Sequence, residues 1–389
     1  MKSQHLIKFF YLMLLVVTFF SAADSLRAQE NDIVLGKQKI IYSKILNEDR
    51  PLLIYLPPNY ENSHDKYPVL YLLDGGAHFH YGTGITNFLA RNAKASNMIV
   101  VGIPNTNRNR DFTPTHAEGR EFGGGAENFQ NFLEKELIPY MEKNYRTVPY
   151  RILFGHSLTG MFSVYTMLTR PELFSAYIAA SPWFIYDENY LVKKAPELLE
   201  KNRDLDKFLY MTVGDEPEVL PAFHQMVEIF REKAPDQLDW HYAEMPNDDH
   251  GSLTLPTLHD GLGRLYRNWA LPDEEAEDLP SVLSHYRNLS SEFGYKLQPS
   301  ELTINILGYR ALQNNRQEEA IRFFKYNVEN NPESPNVYDS LGEGYEAQNE
   351  FELARQNYQM AYRKGKRVND PNTAIFKEHL DNVNTRMGI

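Results

Sequence analysis

Between residues 36 and 270, short apolar segments rich in β-branched and aromatic residues alternate with longer amphipathic ones, and this alternation leaves few folds open. A chain that alternates strand with helix builds an α/β domain around a mostly parallel sheet. KIIYSKIL (39–46) and RPLLIYLPP (50–58), separated by Asn47-Glu48-Asp49, predict an antiparallel hairpin. PVLYLLDGG (68–76), MIVVGIP (98–104), YRILFGHS (150–157), SAYIAASP (175–182), KFLYMTVGD (207–215) and LDWHYAEM (238–245) predict the strands that follow, with helical patterns between them, as at 126–144 and 221–233.

The two ends of the chain read differently. Residues 1–28 carry Lys2 and Lys8, an apolar run from Phe9 to Phe20, then Ser21-Ala22-Ala23 and a second cleavage point after Ala28. This is the pattern of a secretory signal peptide. Its apolar run falls short of the roughly 20 residues a membrane-spanning helix needs. The expectation is an exported protein without a stable membrane span after cleavage, in a bacterial periplasm. The 389 residues include no cysteine, which excludes a disulfide framework, a thiolate nucleophile and cysteine-based metal sites. A formal charge of −12 with no basic run leaves nothing to neutralise a phosphate backbone, so nucleic acid is excluded as a partner.

After Asp273 strands cease. Leu307-Gly308, Ala320 and Phe324 recur as Leu341-Gly342, Ala354 and Tyr358, with Tyr338, Tyr345 and Ala361 at further signature positions. The spacing resembles the tetratricopeptide repeat over 301–334 and 335–368, in which small residues let paired helices pack closely. Helices at 280–294 and 372–386 are expected to cap so short an array. The expected organisation is therefore a signal peptide at 1–28, a hydrolase domain at 29–275, a helical linker at 276–300, and two repeats with a capping helix at 301–389. A protein or peptide partner at the repeats is expected, and a chain ended near 275 is expected to fold alone.

Chemistry concentrates in Gly155-His156-Ser157-Leu158-Thr159-Gly160, which follows an apolar strand and precedes a helical stretch. A tight strand-to-helix turn lifts the Ser157 hydroxyl above the sheet edge and aims the Leu158 N–H at a developing oxyanion. Thr159 stands where a second glycine is usual. A serine hydroxyl needs an imidazole to remove its proton, and His250, just past the last strand, stands where that base is expected. The acid that fixes the imidazole tautomer should follow the preceding strand. Glu216 is preferred there, with Asp215 and Glu218 as alternatives.

In their order, PVLYLLDGGAHF (68–79), VGIPNTNRNRDFTP (101–114), FLEKELIPYMEKNYRT (132–147), GHSLTG (155–160), SPWF (181–184), TVGDEPE (212–218) and DDHGS (248–252) resemble the putative esterase family of α/β-hydrolases. That family includes siderophore esterases, feruloyl esterases, S-formylglutathione hydrolases and mycolyltransferases. The resemblance implies a Ser157–His250–Glu216 triad, a second oxyanion donor at the N–H of Gly76, and a small-molecule ester substrate without a cofactor. Candidate substrates are siderophore lactones, aryl or feruloyl esters and acyl esters. Arg108 and Arg110 are candidates to receive an anionic substrate, and Trp183 to stack on an aromatic acyl group. His78 and His80 form an H-x-H pair without a third ligand, so no metal is expected. The rival readings are an acyltransferase on the same fold and an inert hydrolase-repeat scaffold.

Overall fold

In the computed structural model, which describes residues 32–389, the leading hairpin and six later segments form one eight-stranded sheet in the order β1-β2-β4-β3-β5-β6-β7-β8. The signal-peptide segment at 1–28 lies outside the described residues. The strands are β1 (Lys37–Ser43), β2 (Glu48–Tyr55), β3 (Tyr67–Leu73), β4 (Ile99–Ile103), β5 (Thr147–His156), β6 (Ala176–Ala180), β7 (Phe208–Gly214) and β8 (Asp239–Met245). β1 runs antiparallel to β2, and β2 to β4, while every other pair is parallel. β3, β4, β6 and β7 are buried along their whole length. That is why their sequences read as unbroken apolar runs.

Successive side chains of a strand point to opposite faces, and the sheet uses both. Val69, Tyr71, Leu73 and Leu153 enter one core, and Leu70, Leu72, Ile152 and Phe154 the other. The first core is closed by α3 (Ala126–Phe132) and α4 (Ile138–Asn144), α5 (Leu158–Thr169), α6 (Tyr186–Lys201) and α7 (Leu220–Lys233). The helix expected over 126–144 is present with one π-helical turn, Leu133–Leu137, between α3 and α4. The second core is closed by α1 (Gly75–Arg91) and α8 (Thr254–Leu265). The short α2 (Arg108–Phe112) follows β4.

The C-terminal region is helical throughout: α9 (Leu279–Phe293), α10 (Glu301–Gln313), α11 (Gln317–Asn330), α12 (Pro335–Ala347), α13 (Phe351–Val368) and α14 (Thr373–Met387). Two helix pairs repeat one contact. A Cβ at Gly308 would meet the Phe324 ring at 2.3 Å, and one at Gly342 would meet the Tyr358 ring at 2.6 Å. Glycine at these points lets each pair close onto its aromatic.

The stretch expected as a linker at 276–300 is not free of the hydrolase. Leu289 and Phe293 of α9 belong to the core beneath the sheet, where Phe293 meets Tyr150, Tyr266 and Trp269 at ring separations of 5.1, 5.0 and 5.8 Å. Val282, two turns before Leu289, is buried with Ile304, Leu307 and Phe324 of the helical region. One helix thus serves both cores, and residues 37–389 form a single compact unit.

Candidate active site

The carboxyl ends of the parallel strands converge at one edge of the sheet, where ligands of open α/β sheets bind. β5 ends at His156, α5 begins at Leu158, and Ser157 between them is held at φ 59°, ψ −119°. A non-glycine residue in this region is strained, and such strain persists only where its surroundings over-determine it. Ser157 N–H donates to Ala180 O (2.9 Å), and Ser157 O accepts from Met161 N–H and Trp183 N–H (2.9 Å each). Gly155 has no room for a side chain, since a Cβ would lie 2.1 Å from Thr159 O.

Thr159 fills the usual glycine position without pushing the helix away. Its buried hydroxyl accepts from His156 N–H (2.8 Å) and donates to Asp74 Oδ2 (2.7 Å). Asp74, in the left-handed turn after β3, also receives Arg108 Nε (2.8 Å), Arg108 Nη2 (3.1 Å) and Asn105. Burial pushes the Asp74 carboxyl up, but Arg108, Asn105 and Thr159 outweigh it and hold the group below the usual carboxylate range. Arg108 Nη2 donates further to His156 O (3.0 Å). The ends of β3 and β5 are thereby tied together beneath Ser157.

The candidate acid and base lie just past the ends of β7 and β8. Of the three candidate carboxylates, Asp215 and Glu218 are exposed, and Glu216 is buried at 3% exposure. Glu216 Oε1 accepts from Gly214 N–H (3.1 Å), and Oε2 accepts from Ser181 Oγ (2.8 Å) and from His250 Nδ1. A carboxylate on Nδ1 leaves Nε2 of His250 as the basic nitrogen. Among the described residues the Ser157 hydroxyl has no hydrogen-bond partner. His250 meets the residue that precedes Ser157: His156 Nε2 donates to His250 O (2.6 Å), and the two rings lie 4.6 Å apart. Burial, then the adjacent His250 and His78, pushes His156 down to about 4. His156 is therefore a neutral donor at physiological pH.

The remaining expected residues divide. Leu158 opens α5 and Gly76 lies in the first turn of α1, positions where helical N–H groups lack intrahelical acceptors. Gly76 lines a cavity of about 380 Å³ with Asp74, His78, Pro104, Asn105, Arg108 and His156. Trp183 stands edge-on to His250 at 5.7 Å. Arg108 reaches the cavity while its guanidinium holds Asp74. Arg110 does not line it, and instead binds Glu48 (2.7 Å) and Asp111 (2.7 Å). His78 is buried against Tyr81 OH (2.6 Å) and His80 is exposed. Two residues apart on a helix, they face different directions and form no metal pair. Ser181, Asp74, Thr159 and His156 join this network without a site role expected from sequence. Ser181 carried one usable signal, its place at the end of a strand within SPWF.

The family model described as "Putative esterase" matches residues 43–250, more than half of the chain. The ferri-bacillibactin esterase BesA of Bacillus subtilis is 34% identical over 170 residues, 38% of this chain and 59% of BesA. The match thus spans under two thirds of that relative. The siderophore triacetylfusarinine C esterase of Aspergillus fumigatus is 28% identical over 239 residues, 56% of this chain and 77% of that protein. Among solved structures, an IroE-like serine hydrolase from Shewanella oneidensis has a TM-score of 0.68 at 28% identity, covering 76% of this chain and 99% of its own. A protein from Capnocytophaga ochracea shares the fold at a TM-score of 0.63 and 17% identity, covering 90% of this chain, which extends the likeness into the C-terminal helices.

Proposed function

The chain belongs to the Putative esterase family, and on that premise we propose that it is an exported serine esterase that hydrolyses siderophore-type carboxylic esters. The observation that carries the reading is the buried Glu216 carboxylate bonded to His250 Nδ1 beside the strained Ser157 turn. Ser157 Oγ attacks the ester carbonyl as His250 Nε2 removes its proton. The oxyanion is received by the N–H groups of Leu158 and Gly76. The imidazolium, stabilised by Glu216, protonates the departing alkoxide, and water attacks the acyl-enzyme by the reverse sequence. The siderophore class is favoured by the names of the relatives from Bacillus subtilis and Aspergillus fumigatus. The two C-terminal helix pairs act in this reading as tetratricopeptide-type repeats that extend the surface open to a partner or a large substrate.

A fluorophosphonate probe and a hydrolysis screen test the reading together. The wild-type chain should be labelled at Ser157 and should open a siderophore lactone faster than an aryl ester, while Ser157→Ala should be unlabelled and inactive. An unlabelled wild-type protein would sink the esterase reading. Labelling with a preference for aryl esters would sink only the substrate class.

A further inference from the structure

Away from the hydrolase, Asp339, Glu343 and His379 each offer a ligand atom within 4.8 Å of the other two. Asp339 and Glu343 are four residues apart on α12 and therefore share one helix face. His379 comes from α14, and its Nδ1 lies 3.0 and 3.1 Å from the two carboxylate oxygens of Asp339. We propose that these three side chains form a binding site for one divalent transition-metal ion of the zinc class, which clamps α14 onto the preceding helix pair.

Three independent features carry this. The first is geometry. Ligands bonded to zinc at about 2.0–2.1 Å in a tetrahedron lie roughly 3.3 Å apart, so the Nδ1–carboxylate separation is nearly that of two ligands on one ion. The second is charge. The Asp339 side chain is 7% exposed, yet no lysine or arginine among the described residues pairs with Asp339 or Glu343. Arg386, on the same helix as His379, pairs with Glu346 instead. Two carboxylates face one imidazole, and a buried anionic group without a full counter-charge is costly. A dication supplies that charge. The third feature is support from outside the set: Tyr309 OH of α10 donates to Glu343 Oε1 (2.9 Å). Hydrogen-bonded carboxylates are the usual outer support of metal ligands, because they fix which oxygen faces the ion.

The donor set decides the metal. An imidazole with two carboxylates suits zinc and its neighbours and is a poor match for magnesium or calcium, which prefer all-oxygen ligands. Three protein ligands leave a fourth position for water. Because the ligands come from two helices, metal binding is linked to the docking of α14.

Titration of zinc chloride into the chelator-treated full chain, followed by calorimetry, should give one site per chain. Cobalt(II) should develop the visible absorption of a tetrahedral complex. Loss of a ligand should weaken binding by about 100-fold, at least as much as loss of an outer support does. Two variants separate ligand loss from misfolding: His379→Ala removes the imidazole, and Glu343→Gln preserves shape and removes charge. Circular dichroism should find helix content unchanged in both. Zinc should also raise the thermal unfolding temperature of the wild type and of neither variant. Absence of zinc binding, or binding unchanged in both variants, would overturn the site. Calcium binding as tight as zinc would overturn the metal class.

Discussion

Replacing Glu216 by Gln changes one charge and almost no volume, and the hydrogen bonds around it set the size of the effect. The side chain has two orientations. With its carbonyl oxygen at the Oε1 position it keeps the bond from Gly214 N–H, and its NH2 group then faces His250 Nδ1. That forces the proton onto Nε2 and removes the base, a change worth on the order of 10⁴ in turnover when a triad acid becomes its amide. With the amide reversed, His250 keeps the productive tautomer, but two donors meet at Gly214. A buried unsatisfied donor costs about 1–3 kcal/mol, so only one molecule in roughly 5 to 150 adopts this orientation. That minority also lacks the charge that stabilises the imidazolium. The expected result is a fall in kcat of about 10³–10⁴ with KM nearly unchanged, read by steady-state hydrolysis of a p-nitrophenyl ester. Asp215→Asn and Glu218→Gln, both at exposed positions, should stay within about threefold of wild type, as surface changes usually do. If Glu216→Gln kept a tenth of wild-type turnover while either neighbour collapsed, the acid would be misassigned.

Thr159→Ala deletes a buried hydroxyl bonded to the Asp74 carboxylate, and urea unfolding should record a loss of about 2 kcal/mol, the range for bonds to charged groups. For His156 the sign of the pH effect follows from its depressed value of about 4. Between pH 6.5 and 4 the unfolded chain binds this proton more readily, so stability present above pH 6.5 is lost as the pH falls towards 4. His156→Gln, which keeps a donor for His250 O, should remove up to about 3 kcal/mol of that dependence, measured as the difference from wild type so that Asp339, whose raised carboxyl titrates in an overlapping window with opposite sign, cancels. Ending the chain at 275 should give an aggregating product, whereas ending it at 299 should leave a soluble domain with turnover on a small ester. Equal solubility of the two would refute the role given to α9.

Much of the sheet is legible in the sequence because burial on both faces leaves an unmistakable trace. PVLYLLDGG and KFLYMTVGD have no polar face to alternate with, and such runs fit only strands covered on two sides. The roles proposed for Ser157 and His250 are readable from sequence for another reason: each residue sits shortly after a strand end. The choice among Asp215, Glu216 and Glu218 is not legible in the same way. The three differ only in whether the chain turns them inward after Gly214, and that turn depends on Asp215 N–H reaching Asp248 O from the next strand's loop (2.8 Å). Thr159 fails for a similar reason. Beside the glycine usual at its position it looks like a defect, because its partner Asp74 lies far away in the chain and joins it only when β3 and β5 pair.

The boundary expected near 275 falls where strands end, and strand content is a poor guide to where a core ends. An uncovered apolar face of a sheet needs a partner, and any amphipathic helix of suitable pattern can provide it. Tyr150, Tyr266 and Trp269 lie in the hydrolase segment, yet the side chains that cover them, Leu289 and Phe293, come from α9. Losing buried apolar side chains of this size costs about 1.5–3 kcal/mol each, a large share of the about 5–15 kcal/mol that holds a domain folded. The helical region is therefore joined to the hydrolase through a shared helix rather than by a tether. Val282, a core residue of that region, is held on the same helix as Phe293. The helical array and the wall beneath β5, the strand that ends one residue before Ser157, therefore share α9.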